Sequence, residues 1–222
     1  MEMRNPFPLT VKSLILFEDS YKFFEPFPRR PVPVWWENLV DPSEGLGAVL
    51  ASKSLVLQHL AISFMINAEE IFRQCQPAWL WSNLQSLALT SQLMQDDPGK
   101  REEIRTLLSR SAVIARQMPR IHTFVLWNGG KAHACAFIYC VDEDQASITW
   151  RGTWNLDLSG MTKSWQLTAS KRTFAKLQVK QECISSVVTS HGDSIHHLKL
   201  PCQVIHPASL WQMRREGFSL AQ

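Results

Sequence analysis

Along the first half of the chain, apolar residues recur in one spacing, apolar-x-x-apolar-x-apolar. It appears at Val11/Leu14/Leu16, Leu57/Leu60/Ile62, Leu84/Leu87/Leu89 and Ile121/Phe124/Leu126. Each set lies in a stretch dense in aliphatic residues ("VKSLILF", "LVLQHLAISFMI", "NLQSLALTSQLM", "PRIHTFVLW"), and all four are predicted strands. Between them the period changes. In "DDPGKREEIRTLLSRSAVIARQM", Ile104, Leu107, Leu108, Ala112, Ala115 and Met118 recur at helical spacing, with Arg and Glu between them. "NAEEIFRQC" is a shorter helix with Asn67 placed as its N-cap. Another helix opens at Ser43 and runs through Leu50, with Glu44 in the first turn, where the helix dipole favours an acid.

In a chain with 45% hydrophobic residues, such a triple arises by chance in roughly one window in eleven. The alternation with helices is what gives it weight. One strand and one helix per unit, stacked into a common core, is the logic of a leucine-rich repeat. The repeats are irregular: Leu14, Leu60, Leu87 and Phe124 follow at intervals of 46, 27 and 37 residues. The usual Asn ladder is replaced by Asp19, Met65, Gln92 and Gly129. The expected fold class is α/β: an irregular leucine-rich-repeat-like solenoid with a mostly parallel sheet and helices on its convex side. A hairpin-like region follows residue 126. One domain spans 1–222, and a Pro/Trp-rich loop is inserted at 18–42. Within that loop, four prolines between residues 26 and 33 favour extended chain. Pro28-x-x-Pro31 has the spacing of a polyproline-II ligand, whereas Trp35 and Trp36 suggest that the loop is tacked onto the core.

Side chains alternate across a strand. If the template residues point into the core, those between them form rows on the concave side: Ser13/His59/Ser86/Thr123, Ile15/Ala61/Ala88/Val125 and Phe17/Ser63/Thr90/Trp127. The outer rows are small, hydroxylated and partly aromatic, and the middle row is apolar. Such a surface suits another chain and contains no acid–base pair. His59, Ser63, Ser86, Thr90, Thr123 and Trp127 are therefore the candidate partner-binding residues.

The stretch with the most chemical appearance is "LWNGGKAHACAFIYC", residues 126–140. His133, Cys135 and Cys140 suggest a metal site, but in one strand Cys135 and Cys140 fall on opposite faces, and a structural zinc site needs four ligands. Gly129-Gly130-Lys131 lacks the spacing of a phosphate loop. Asn128-Gly129 is a strong hairpin-turn signal between two strand-like runs. His133, Cys135 and His191 form the alternative, a small Cys/His-dependent hydrolase or metal-binding enzyme. The "HGD" run at 191–193 is expected to turn. Later in the chain, "ASITWRGTW" and "LQVKQECI" are strands, "KSWQLTASKRTFAKL" is a helix or loop, and a helix runs from Pro207 until Gly217 stops it.

Composition narrows the function classes. A formal charge of +3 with isolated Arg29-Arg30 and Arg214-Arg215 pairs is weak for nucleic acid. No apolar run reaches the roughly 20 residues needed to span a membrane. Five scattered cysteines without a CxxC pair, and a start rich in acids and prolines, point to a reducing cytoplasm or nucleus with mostly buried free thiols. Neither a metal nor a cofactor is expected.

Four stretches carry a resemblance: "SFMINAEEIFRQCQPAWLWSNLQSLALTSQLM", "MPRIHTFVLWNGGKAHACAFIY", "ITWRGTWNLDL" and "VIHPASLWQMRREG". From about Leu14 to Gly217 the chain resembles a domain of unknown function that forms the leucine-rich-repeat-like C-terminal half of filamentous-fungal F-box-type proteins. Trp127 to Gly130 and Ile148 to Arg151 match family marks. The resemblance implies a repeat α/β fold and transfers no catalytic residue. Only "MEMRNPFPL" precedes the first strand, so docking to a ubiquitin-ligase scaffold is not carried over. The function expected is a non-enzymatic module that binds a protein partner.

Overall fold

The computed structural model describes residues 11–18, 42–142, 145–171 and 176–219. The Pro28-x-x-Pro31 spacing, Trp35 and Trp36 lie outside them. Seven strands form one sheet in sequential order: β1 (Ser13–Phe17), β2 (His59–Ser63), β3 (Ser86–Thr90), β4 (Thr123–Gly130), β5 (His133–Asp142), β6 (Gln145–Gly152) and β7 (Gln178–Cys183). β1 to β4 are parallel, β4–β5–β6 is an antiparallel meander, and β7 returns parallel to β6. Six α-helices are described: α1 (Pro42–Ser54), α2 (Ala68–Gln74), α3 (Arg101–Ala115), α4 (Ser159–Ser170), α5 (His191–Leu198) and α6 (Pro207–Ser219).

The template residues do point one way. Leu60, Ile62, Leu87, Leu89, Phe124 and Leu126 belong to one buried cluster with Leu50, Phe72, Leu108 and Trp165 from α1 to α4. The helices described in the parallel crossovers, α1 to α4, therefore lie on one face of the sheet. Aromatic packing closes this layer. Trp165 of α4 sits 4.8 Å from the Tyr139 ring and 5.0 Å from Phe137, while its indole N–H donates to the Leu108 carbonyl of α3 at 3.0 Å. Beside it, the Thr168 hydroxyl donates to Ala112 O at 2.9 Å. A buried indole needs such a partner, because an unsatisfied polar group in the core costs about 1–3 kcal/mol.

The opposite face carries a second buried cluster: Ala61, Ala88, Val125, Trp127, Ala134, Ala136 and Ile138 from the sheet, with Val188, Ile195, Leu198, Val204 and Ile205. The last five come from α5 and the segments flanking it. The architecture is thus three layers: four helices, the sheet, and a smaller cover of α5 and α6. Helices were expected on the convex side alone, and the cover departs from that. Val204 and Ile205, between the two helices, are apolar enough to need the sheet.

Three local expectations are also corrected. The hairpin turn falls at Lys131-Ala132, not at Asn128-Gly129, which are paired in β4 with Cys135 and Ala134. Ala132 takes the left-handed conformation that the turn requires (φ 66°). The "HGD" run is the first turn of α5: the Ser190 hydroxyl accepts from the Asp193 amide, an N-cap that starts a helix where turn-forming residues suggested a loop. Finally, α6 continues past Gly217 to Ser219.

Candidate functional site: the face opposite α1 to α4

The register links the expected rows residue by residue. Ser13, His59, Ser86 and Thr123 are successive partners across β1 to β4, as are Ile15, Ala61, Ala88 and Val125. In the third row Phe17 pairs with Ser63, and Thr90 with Trp127. The six candidate residues therefore share one face. The cover divides them.

Ser63, Thr90 and Trp127 lie under the chain's own residues, 0 %, 2 % and 0 % exposed. Phe64 packs edge-on against Trp127, with ring centroids 5.0 Å apart, and against His191 of α5 at 4.1 Å. Phe17 completes the cover, 5.6 Å from Phe64. Phe64 holds a left-handed backbone (φ 65°), and its amide donates to Thr90 Oγ1 at 2.7 Å. That hydrogen bond fixes the bend which carries the ring over the row. No partner reaches Trp127 without lifting α5.

The first row stays open. His59 is exposed, and Ser86 and Thr123 are half-buried. They line a cleft of about 530 Å³ with Ser13, Ile15, Ala61, Gln85, His122, Pro201, Cys202 and Gln203. A second cleft of about 590 Å³ shares Ile15 and Gln203 and runs between β1 and α6, past Phe17, Ile205, His206, Ser209, Gln212 and Met213. Among the described residues that line them, neither has a Lys, Arg, Asp or Glu. The available chemistry is apolar surface, neutral hydrogen-bonding groups and imidazole. Burial pushes the Cys202 thiol up to about 11, so it stays protonated at neutral pH.

Cys202 and Gln203, which form the far wall, were not anticipated from the sequence. The signal was present in "LKLPCQVIHP", where Leu200, Val204 and Ile205 are apolar anchors in a segment too short for another element.

The residues suspected of reactivity disperse. Cys135 points into the core under α1 to α4 and Cys140 to the opposite face, as strand alternation requires. Burial drives the Cys135 thiol far above its ordinary value, and its sulfur donates to Met94 O at 3.3 Å. His191 stands on the face that α5 covers, across the sheet from Cys135. Among the described residues no three His, Cys, Asp or Glu side chains converge to hold a metal ion. All five cysteines are unpaired; Cys135 is buried, Cys183 is exposed, and the other three lie between.

The two motif stretches meet instead at α5. Trp127 lies beneath it, and Gly129 touches it: a Cβ at Gly129 would fall 2.8 Å from Ser194 Cβ. Arg151 caps its far end, donating from Nη1 to Leu198 O at 2.6 Å and Lys199 O at 2.9 Å, and from Nε to Glu182 at 2.6 Å. At the near end the buried Asp193 accepts from the Thr189 hydroxyl and from Arg214 of α6 at 3.3 Å. These residues are used to hold the cover down.

A seven-stranded, mostly parallel α/β sheet with helices on both faces, one of them only half covered, defines the class of the molecule. Residues 6–206 match the family of unknown function DUF6546, and the chain belongs to that family. No curated protein and no solved structure matches it. Among the described residues no helix is long and apolar enough to cross a membrane.

Proposed function

We propose that the domain is a protein-interaction module of leucine-rich-repeat type that takes an extended, uncharged segment of a partner protein into the two joined clefts. The observation that carries this reading is their lining by the described residues: an apolar floor, hydroxyl, amide and imidazole groups along the walls, and no Lys, Arg, Asp or Glu among them. A phosphate or nucleic-acid ligand would need cationic contacts. An extended peptide needs alternating apolar contacts and neutral hydrogen-bond partners, which the rows of His59, Ser86 and Thr123 and of Ile15 and Ala61 offer at strand spacing. The placement of α1 to α4 on one face supports the repeat-type reading, and the unpaired cysteines support a cytoplasmic or nuclear setting. The F-box-type context belongs to this proposal as well.

The test is selection from a displayed library of unbiased peptides, with Thr123→Arg as counter-selection. That substitution fills the cleft and adds a charge at a half-buried position. The expected outcome is a neutral consensus whose affinity falls at least about tenfold, some 1.4 kcal/mol, on Thr123→Arg. An absence of enrichment, or peptides that bind the folded variant equally well, refutes the assignment.

A further inference from the structure

β7 ends the sheet. Among the described residues it pairs only with β6, and five of its six residues are exposed, Val179 at 49 %. One bond fixes which backbone groups are free. The Ile184 amide donates to the Gly152 carbonyl at 2.8 Å, so Ile184, and with it Glu182, Lys180 and Gln178, turn their backbone groups towards β6. Val179, Gln181 and Cys183 turn theirs outwards, since successive residues of a strand alternate. Such a row of donors and acceptors is a template for another strand. We propose that two copies of the chain join through their β7 edges, as an antiparallel pair about a twofold axis at Gln181, into one continuous sheet.

Backbone parity and charge together select the occupant and the register. In an antiparallel pair the hydrogen-bonded residues exchange both bonds, so outward residues must meet outward residues. The central registers that satisfy this are centred on Lys180, Gln181 or Glu182. Centring on Lys180 or on Glu182 sets like charges opposite each other, which is destabilising. Centring on Gln181 sets Lys180 opposite Glu182 on both sides of the axis, in non-hydrogen-bonded pairs where side chains approach most closely. Glu182 has room for this second cation: Arg151 Nε is bound to Oε2 alone, and the side chain is 43 % exposed. On the other face of the strand the same register lays Val179 against Cys183 of the second copy, covering apolar surface that each chain leaves exposed. A second copy of β7 brings its own complementary charges to the edge. β7 stands at the far end of the strand order from β1 and β2, whose residues line the open clefts, so the pairing does not depend on what the clefts bind.

Sedimentation of the full chain over a range of concentrations is expected to show a reversible monomer–dimer equilibrium. Gln181→Pro removes an outward donor at an edge position that tolerates proline, and should leave a monomer with native circular dichroism. Lys180→Glu sets like charges opposite each other on both sides of the axis and should weaken the dimer at least about tenfold. Val179→Cys reads the register. Mild oxidation should link residue 179 of one copy to Cys183 of the other, a hydrogen-bonded pair whose Cα atoms would lie about 5.5 Å apart. Within one chain the two positions are roughly 13 Å apart along the strand, so the linked peptide reports contact between copies. A monomer at every concentration, a dimer that Lys180→Glu leaves at full strength, or a covalent dimer of Val179→Cys joined through any other pair overturns the proposal.

Discussion

Gly129 occupies a place where no side chain fits, because Ser194 of α5 is already there. Gly129→Ala must lift α5 or bend β4, and the expected loss is about 1–3 kcal/mol. It would appear as a lower denaturation midpoint at unchanged slope. A loss within about 0.5 kcal/mol, as at ordinary surface sites, would mean that α5 does not sit on β4. Three residues further on, the strain has the opposite sign. Ala132 is exposed and held at φ 66°, a conformation that costs an L-residue roughly 1–2 kcal/mol. Ala132→Gly relieves it but adds freedom to the unfolded chain, worth about 0.4–1 kcal/mol. The net expectation is a small stabilisation, up to about 1 kcal/mol, measured as a raised melting temperature. A destabilised variant would show that the turn lies elsewhere.

At the scale of elements, α5 is the piece whose placement decides what the candidate face of the sheet can do. It is short for an isolated helix and is held from outside: a Ser190 cap, the Asp193–Arg214 pair and the Arg151 clamp. Burial pushes the Asp193 carboxyl up, but the Thr189 hydroxyl and the Arg214 guanidinium together outweigh it and leave the group below its ordinary value. A carboxylate depressed on folding contributes stability above its unfolded pKa, near 4, and loses it as pH falls through the folded value. Asp193→Asn should therefore destabilise the protein at pH 7 by about 1–3 kcal/mol. Below about pH 4 the difference from wild type should shrink towards zero. Chemical denaturation at both pH values checks this, and a difference that is constant with pH would remove Asp193 from the clamp.

Across the whole molecule, the sheet was legible in the sequence because period two leaves little freedom. Once Leu60 and Leu87 are assigned to the core, His59 and Ser86 must face the other way and lie in register. The cover was not legible. Ile195 and Leu198 mark a buried helical face, but nothing local says which side of a distant sheet receives it. The Asn128-Gly129 misassignment has the same origin: that glycine answers to packing against α5, and local turn propensity gave way to it. Gly192 behaves alike, since a Cβ there would come within 2.9 Å of the Arg214 amide. Of the six candidate residues, the sequence located all on one face but could not separate His59, Ser86 and Thr123 from the three that the cover buries.

That separation between an open and a closed half of the same face is the central claim. It can be measured without knowing any partner. His59 and Ser63 lie four residues apart on β2, on the same side of it, one exposed and the other fully buried. Each is replaced singly by cysteine, and the rate of alkylation at that position is followed by peptide mass spectrometry under native conditions. The predicted result is rapid labelling of His59→Cys, with Ser63→Cys slower by at least about tenfold because it waits on local opening of the cover. Comparable rates at the two positions in folded protein would contradict it.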